Sequence, residues 1–119
     1  MITEANVTVM VSDINRSIKF YVETLGLKLK SRYGDQFALV ECPGLTIALH
    51  PAFERGPRPG NSESLSVGFG VADIDGEVAK LKGNGVSFSR VSKDGPVTLA
   101  FFKDPDGNPL YLSQTQEWK

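Results

Sequence analysis

The chain is poor in the residues that most often announce chemistry. Its 119 positions hold one cysteine, Cys42, one histidine, His50, and one tryptophan, Trp118. A single thiol excludes an internal disulfide and any zinc site built on several cysteines. Neither sign of charge dominates, since 13 Lys and Arg stand against 14 Asp and Glu. Without a basic surplus there is little to displace counterions from a phosphate backbone, so nucleic acid is not an expected partner. No apolar run approaches the roughly 20 residues that span a bilayer. Met1-Ile2-Thr3-Glu4 lacks the basic start and apolar stretch of a signal peptide. No membrane partner and a cytoplasmic address are the expectations that follow. A Gly-rich phosphate loop ending in Lys and Ser or Thr is missing, and so is the nucleophile-elbow pattern of Ser hydrolases.

What is present is an internal repeat. Val11-Ser12-Asp13-Ile14 returns sixty residues later as Val71-Ala72-Asp73-Ile74. Alternating apolar residues precede each copy: Val7, Val9 and Val11, then Leu65, Val67, Phe69 and Val71. Period-two alternation predicts a strand with one apolar face. Helical spacing follows, in Ile14, Ile18, Tyr21, Val22 and Leu25, and again in Ile74, Val78 and Leu81. Ser12 or Asp13, and Asp73, are candidate N-caps. Gly26 and the Gly83-Asn84-Gly85 run are candidate C-caps. Three short strands are predicted in each half: 27–33, 36–41 and 45–50, then 86–92, 97–103 and 109–113. Pro51 to Glu63, with three prolines, two glycines and mixed charges, reads as a linker or surface loop. The pattern is β-α-β-β-β twice: module one over about 1–50, module two over about 64–119. Together they form a single α+β domain over 1–119, because a 60-residue half buries too little surface alone.

Two strings carry a family resemblance. One is Val11-Ser12-Asp13-Ile14-x-Arg16-Ser17-Ile18-x-Phe20-Tyr21 followed by Leu25-Gly26-Leu27. The other is Phe101-Phe102-Lys103-Asp104-Pro105-Asp106-Gly107-Asn108 with Leu110-Tyr111-Leu112. With their spacing, the chain resembles the vicinal oxygen chelate superfamily, which includes glyoxalase I, extradiol dioxygenases and the fosfomycin- and bleomycin-resistance proteins. The resemblance implies two βαβββ modules forming a curled mixed-sheet trough, with helices on the outer face and ligand inside. It also implies a homodimer. Asp104-Pro105-Asp106-Gly107-Asn108 itself reads as a tight turn, with Pro presetting φ and Gly supplying a positive one.

In metal-using relatives four inward positions supply His, Glu or similar ligands. By position these fall on Asn6, Ala48, Ser66 and Tyr111. Such a set suits a divalent cation badly. Zinc seeks imidazole, thiolate or carboxylate, and magnesium and manganese seek carboxylate oxygens. Asn and Ser offer neutral oxygens, Ala offers nothing, and no carboxylate stands at any of the four. The expectation is no metal and no cofactor. One escape is a relocated site using His50 with Glu41. His50 otherwise reads as a strand-end residue bonded to the linker, or as a ligand-binding donor.

Taking the apolar faces as the helix side, the other face reads Asn6, Thr8 and Met10; Thr46, Ala48 and His50; Ser66, Gly68 and Gly70; and Tyr111 and Ser113. Small polar groups left unpartnered in a dry core are costly, so this face suits a cleft that takes a guest. Gly68 and Gly70 read as room for a ligand or a close backbone. Phe37, Phe53, Phe102 and Trp118 are the candidate aromatic walls, some of them destined for the core. Cys42, just before Pro43-Gly44, reads as a half-buried turn thiol, not a nucleophile.

Three functions are compatible with these residues. The first is a metal-free small-molecule binding protein that sequesters an antibiotic or aromatic metabolite. Its ligand-binding residues would be Asn6, His50, Ser66, Tyr111, Phe37, Phe102 and Trp118. The second is a lyase, isomerase or dioxygenase with the relocated metal, or with His50 and Tyr111 as an acid–base pair. The third is an interaction module whose open face serves dimerisation.

Overall fold

A computed structural model describes residues 1–61 and 64–115. The elements in chain order are β1 (Val7–Val11), α1 (Ile14–Ile18) running into a π-helical segment (Lys19–Thr24), β2 (Lys28–Tyr33), β3 (Phe37–Cys42), β4 (Leu45–Pro51), β5 (Val67–Gly70), α2 (Ile74–Gly83), β6 (Phe88–Asp94), β7 (Val97–Lys103) and β8 (Pro109–Thr115). The strands form two four-stranded mixed sheets, β1-β4-β3-β2 and β5-β8-β7-β6. This is the α+β, twice-βαβββ architecture that the repeat predicts. Two compact units are distinguished: Met1–Asn61 with Pro105–Gly107, and Ser62–Asp104 with Asn108–Lys119.

In the first unit, β1 runs parallel to β4, with Val9 beside Leu49 and Val11 beside Pro51. β3 runs antiparallel to β4, with Ala38 opposite Leu49 and Val40 opposite Ile47. Val9, Val11, Ala38, Val40, Ile47 and Leu49 are buried together on the side of α1. Their alternates point the other way along each strand, although in β1 Met10 is also buried and Val7 is exposed, so parity sets the faces but not the burial. Asp13, not Ser12, caps α1: its carboxylate accepts from the Arg16 N–H at 3.1 Å.

The helix then widens where the sequence predicts continued 3.6-residue periodicity. Leu25 N–H reaches back five residues to the Phe20 carbonyl at 2.9 Å, and Leu27 N–H reaches Tyr21 at 3.0 Å. Tyr21 is fully buried in this segment, its ring edge-on to Phe20 at 5.3 Å. Gly26 ends it at φ 81°, the left-handed conformation a C-cap uses.

In the second unit, β5 runs parallel to β8 and β7 antiparallel to it. Leu110, Leu112, Ala100 and Phe102 are buried with Ile74 and Leu81 of α2. Asp73 caps α2 through Gly76 N–H at 3.1 Å. Asp75 and Glu77 in its first turn and Lys80 and Lys82 in its last complement the helix dipole. The Gln114 side-chain oxygen accepts from Ile74 N–H at 2.8 Å, fixing the helix start to β8. Each sheet carries one register shift, between Leu29 and Ser31 in β2 and between Phe88 and Arg90 in β6. β6 begins and ends two residues later than the predicted 86–92.

The Asp104–Asn108 string is the turn that its residues predict. The Asp104 carboxylate accepts from the Asn108 backbone N–H at 2.9 Å and its side-chain N–H at 2.8 Å. Asp106 does more than turn the chain. Within the first unit its carboxylate accepts from Ser12 N–H at 3.1 Å on both oxygens, from the Ser12 hydroxyl, and from Arg16 at 3.4 Å. Gly60, at φ 74°, lies where a Cβ would collide with the Asp106 carbonyl.

Candidate functional site

The open face of the first unit is set by register. Thr8 stands beside Ala48 and Met10 beside His50. Leu39 stands opposite Ala48 and Glu41 opposite Thr46. Asn6 immediately precedes β1, in phase with Thr8 and Met10, and is exposed. Ala48 lies half-buried between two fully buried neighbours, Ile47 and Leu49. An amide and a methyl group therefore occupy the two positions that the resemblance assigns in this unit.

His50 is half-buried at the end of the face. Its Nδ1 is 2.8 Å from the Pro51 carbonyl. A carbonyl only accepts, so Nδ1 carries the proton and, in the neutral ring, Nε2 presents a lone pair. The ring meets Phe53 edge-on, with centroids 5.5 Å apart at 72°. Phe53 is held by a tight turn in which Gly56 N–H donates to the Phe53 carbonyl at 3.1 Å. Arg55 fills the left-handed position of that turn at φ 67°, and a Cβ on Gly56 would strike the Phe53 ring. Phe37 is half-buried and stacks on Tyr33 at 4.4 Å and 27°. Tyr33 did not emerge from sequence. Its signal is the short turn at Gly34-Asp35, which places residues 33 and 37 opposite one another.

In the second unit, Gly68 pairs with Tyr111 and Gly70 with Ser113. Ser66 precedes β5 and is exposed. The Tyr111 ring lies over Gly68, where an added Cβ would overlap ring carbons and hydroxyl. Gly68 is therefore the seat of a side chain, not vacant space for a ligand, whereas Gly70 has nothing within 4 Å of a built Cβ. Phe101 stands opposite Tyr111, with centroids 6.0 Å apart at 41°.

The expectation for Phe102 is corrected. Phe102 is 2% exposed and packs at 5.2 Å on Phe88, on the helix side of its sheet. It has no surface to offer a guest, and Phe101 is the aromatic of β7 that shares the Tyr111 face. Trp118 lies outside the described residues.

A recess of about 440 Å³ opens at the other end of the first sheet, lined by Gly26, Leu27, Lys28, Glu41, Cys42 and Pro43. Burial pushes the Cys42 thiol above its ordinary pKa. The group contacts the Leu45 carbonyl at 3.8 Å, and a raised pKa makes it a poor nucleophile.

The residues present do not fit a divalent metal. The four positions that the resemblance assigns offer Asn, Ala, Ser and Tyr, with no imidazole or carboxylate among them. The relocated pair is too far apart: Glu41 faces Thr46, and His50 lies four residues further along β4, about 13 Å at 3.3 Å per residue. Among the described residues no three His, Cys, Asp or Glu side chains gather as a metal group. No helix there is long and apolar enough to cross a membrane.

Two modules of one pattern, each with an open sheet face opposite its helix, define the class. A family model for the Glyoxalase/Bleomycin resistance protein/Dioxygenase superfamily matches residues 5–112, and the chain belongs to that superfamily. It is 32% identical to the uncharacterized protein YurT of Bacillus subtilis, over 90% of this chain and 94% of that one. It is 31% identical to the glutathione transferase FosA of Serratia marcescens, over 90% of this chain and 77% of FosA. Among solved structures, TnmS3, an antibiotic binding protein from Streptomyces sp. CB03234, superposes with a TM-score of 0.75 at 30% identity, over 98% of this chain and all of TnmS3.

Proposed function

We propose that the protein binds a small organic molecule without a metal and sequesters it, the cargo being an antibiotic or an aromatic metabolite. The observation that carries this reading is the chemistry of the family positions: neutral Asn6, Ala48, Ser66 and Tyr111 in place of charged chelators. Groups of that kind recognise a guest by shape and hydrogen bonds. On the open face of the first unit Asn6 and His50 would hydrogen-bond it and Phe37 would supply flat apolar surface; Ser66 and Tyr111 offer the corresponding polar groups on the second unit. Phe101 replaces Phe102 as the flat surface there. Likeness to an antibiotic binding protein over the full chain supports the reading.

The relatives also include a protein named as a transferase, which keeps an enzyme of the same superfamily as the competing reading. A metal-using enzyme separates from the binding reading on metal content, and a metal-independent one on turnover of the bound molecule. Purified protein is expected to hold no stoichiometric zinc, nickel, iron or manganese by elemental mass spectrometry. A full equivalent would overturn the metal-free reading.

A thermal-shift screen against antibiotics and aromatic metabolites tests binding directly. Stabilisation should grow with ligand concentration, by about 2.7 kcal/mol at a hundredfold excess over Kd. A flat response across a broad library would refute it. The reading places the protein in the cytoplasm as a homodimer. Sedimentation equilibrium returning monomer mass at high concentration would remove the dimer.

A further inference from the structure

On the open face of the first sheet, one residue from each strand falls in a single transverse row. Met10 stands beside His50. His50 and Phe37 are next in register after the Leu49–Ala38 pair. Phe37 stands opposite Tyr33. At about 4.8 Å between strands, the row is roughly 14 Å long. It passes from a thioether through an imidazole to two stacked rings.

Three features mark this row as a seat rather than a chance alignment. The Tyr33–Phe37 stack is presented to water, with Tyr33 53% exposed. Phe53, 55% exposed, stands edge-on to His50 on a turn whose Arg55 adopts a conformation unusual for a side-chain-bearing residue. Exposed apolar rings gathered this way gain by being covered. Besides the exposed Tyr33 hydroxyl, the row contains a half-buried directional group. His50 Nδ1 is committed to Pro51, and among the described residues no hydrogen bond reaches Nε2. In the neutral ring that nitrogen can only accept.

We propose that this row seats a flat, conjugated molecule of two or three fused rings that lies along Tyr33 and Phe37 and donates one hydrogen bond, from a hydroxyl or N–H, to His50 Nε2. The inference rests on the binding reading above and narrows it to a ligand class. An acceptor-only ligand would leave the imidazole lone pair unmatched. A ligand without a flat ring system would leave the stack uncovered.

Two probes with the same ring system test it: 2-naphthol, which carries a donor, and 2-methoxynaphthalene, which does not. NMR titration reads Kd into the millimolar range for each. The unmodified protein should prefer the naphthol by about fivefold, the worth of one ordinary hydrogen bond. His50→Phe keeps a ring but removes the acceptor, and should erase that preference while leaving the ether's affinity unchanged. Tyr33→Ala should weaken both probes by about fivefold, as loss of a stacking partner does. Val91→Ser, at an exposed position on β6, should change neither.

Equal affinities for the two probes, unchanged affinity in Tyr33→Ala, or failure of both to bind each overturns the proposal. If both fail while a member of the wider library still stabilises the protein, the row assignment falls and the binding reading stands. If nothing stabilises it, the binding reading falls as well. A Tyr33→Ala variant that loses assembly mass by sedimentation, with probe affinity unchanged, would assign the row to a second copy of the chain instead.

Discussion

Gly68 and Tyr111 offer a perturbation whose sign should reverse with its background. The two are register partners across β5 and β8, and the tyrosine ring occupies the place of a glycine Cβ. Gly68 does not use a left-handed φ, so alanine is compatible with its backbone. On conformational entropy alone, Gly68→Ala should stabilise by roughly 0.5–1 kcal/mol. Against this, the new methyl overlaps ring carbons and hydroxyl, so the ring or strand must shift, and overpacking of this kind costs about 1–3 kcal/mol. The expected net effect is a loss of about 1–2 kcal/mol. In a Tyr111→Ala background the obstacle is gone, and the same change should gain about 0.5–1 kcal/mol. Urea denaturation of the four proteins in the cycle, with m unchanged, measures the coupling. A stabilising Gly68→Ala in the unmodified protein, or a coupling below about 0.5 kcal/mol, would refute the assignment of Gly68 as the seat of the ring.

Three other changes address the first unit. Ser17 is fully buried in α1 and its hydroxyl has no partner among the described residues, so Ser17→Ala should stabilise by about 1 kcal/mol through relieved desolvation and better helix propensity; a lowered melting temperature would contradict this. Asp106→Ala removes the acceptor of the Ser12 and Arg16 bonds from a carboxylate whose side chain is 5% exposed, and should cost about 2–3 kcal/mol in denaturant unfolding; a loss under 0.5 kcal/mol would make the network decorative. Cys42, its pKa raised by burial, should react with iodoacetamide at pH 8 more slowly than a free thiol. Because the folded pKa lies above the unfolded one, the thiol leaves stability intact below the unfolded pKa and lowers it as pH rises through the folded value. Cys42→Ser should remove that alkaline loss, and identical alkaline profiles for the two proteins would dismiss it.

The sixty-residue repeat made the two modules legible because each copy pairs an alternating strand with a helical stripe. Alternation also assigned the faces of β1, β4 and β8, where Val9, Leu49 and Leu112 are buried and Thr8, Ala48 and Tyr111 are not. It failed in β7, where Leu99, Ala100, Phe101 and Phe102 are all apolar and parity carries no signal. Only pairing with β8 shows that Phe102 goes with buried Leu110 and Phe101 with Tyr111. The π-helical segment escaped for a related reason. One extra residue in a turn barely alters the spacing of Ile18, Tyr21 and Leu25, yet it rotates everything that follows. Tyr33 and the seat at Gly68 are pair properties that depend on register, which no single strand displays.

The same parity explains why membership of this superfamily constrains fold far more than chemistry. Ala48 is flanked by Ile47 and Leu49, and Tyr111 by Leu110 and Leu112, every one of these neighbours buried. The residues that hold the sheets together therefore alternate with those that face a guest, along the same strands. A charged chelator at position 48 or 111 could give way to a neutral group without disturbing the packed face. Removing charge would also lessen the desolvation cost of covering that face with an organic molecule. A scaffold so arranged can exchange one kind of outward-facing chemistry for another through a few substitutions. Those outward residues, not the shared architecture, are where the chemistry of this chain is to be sought.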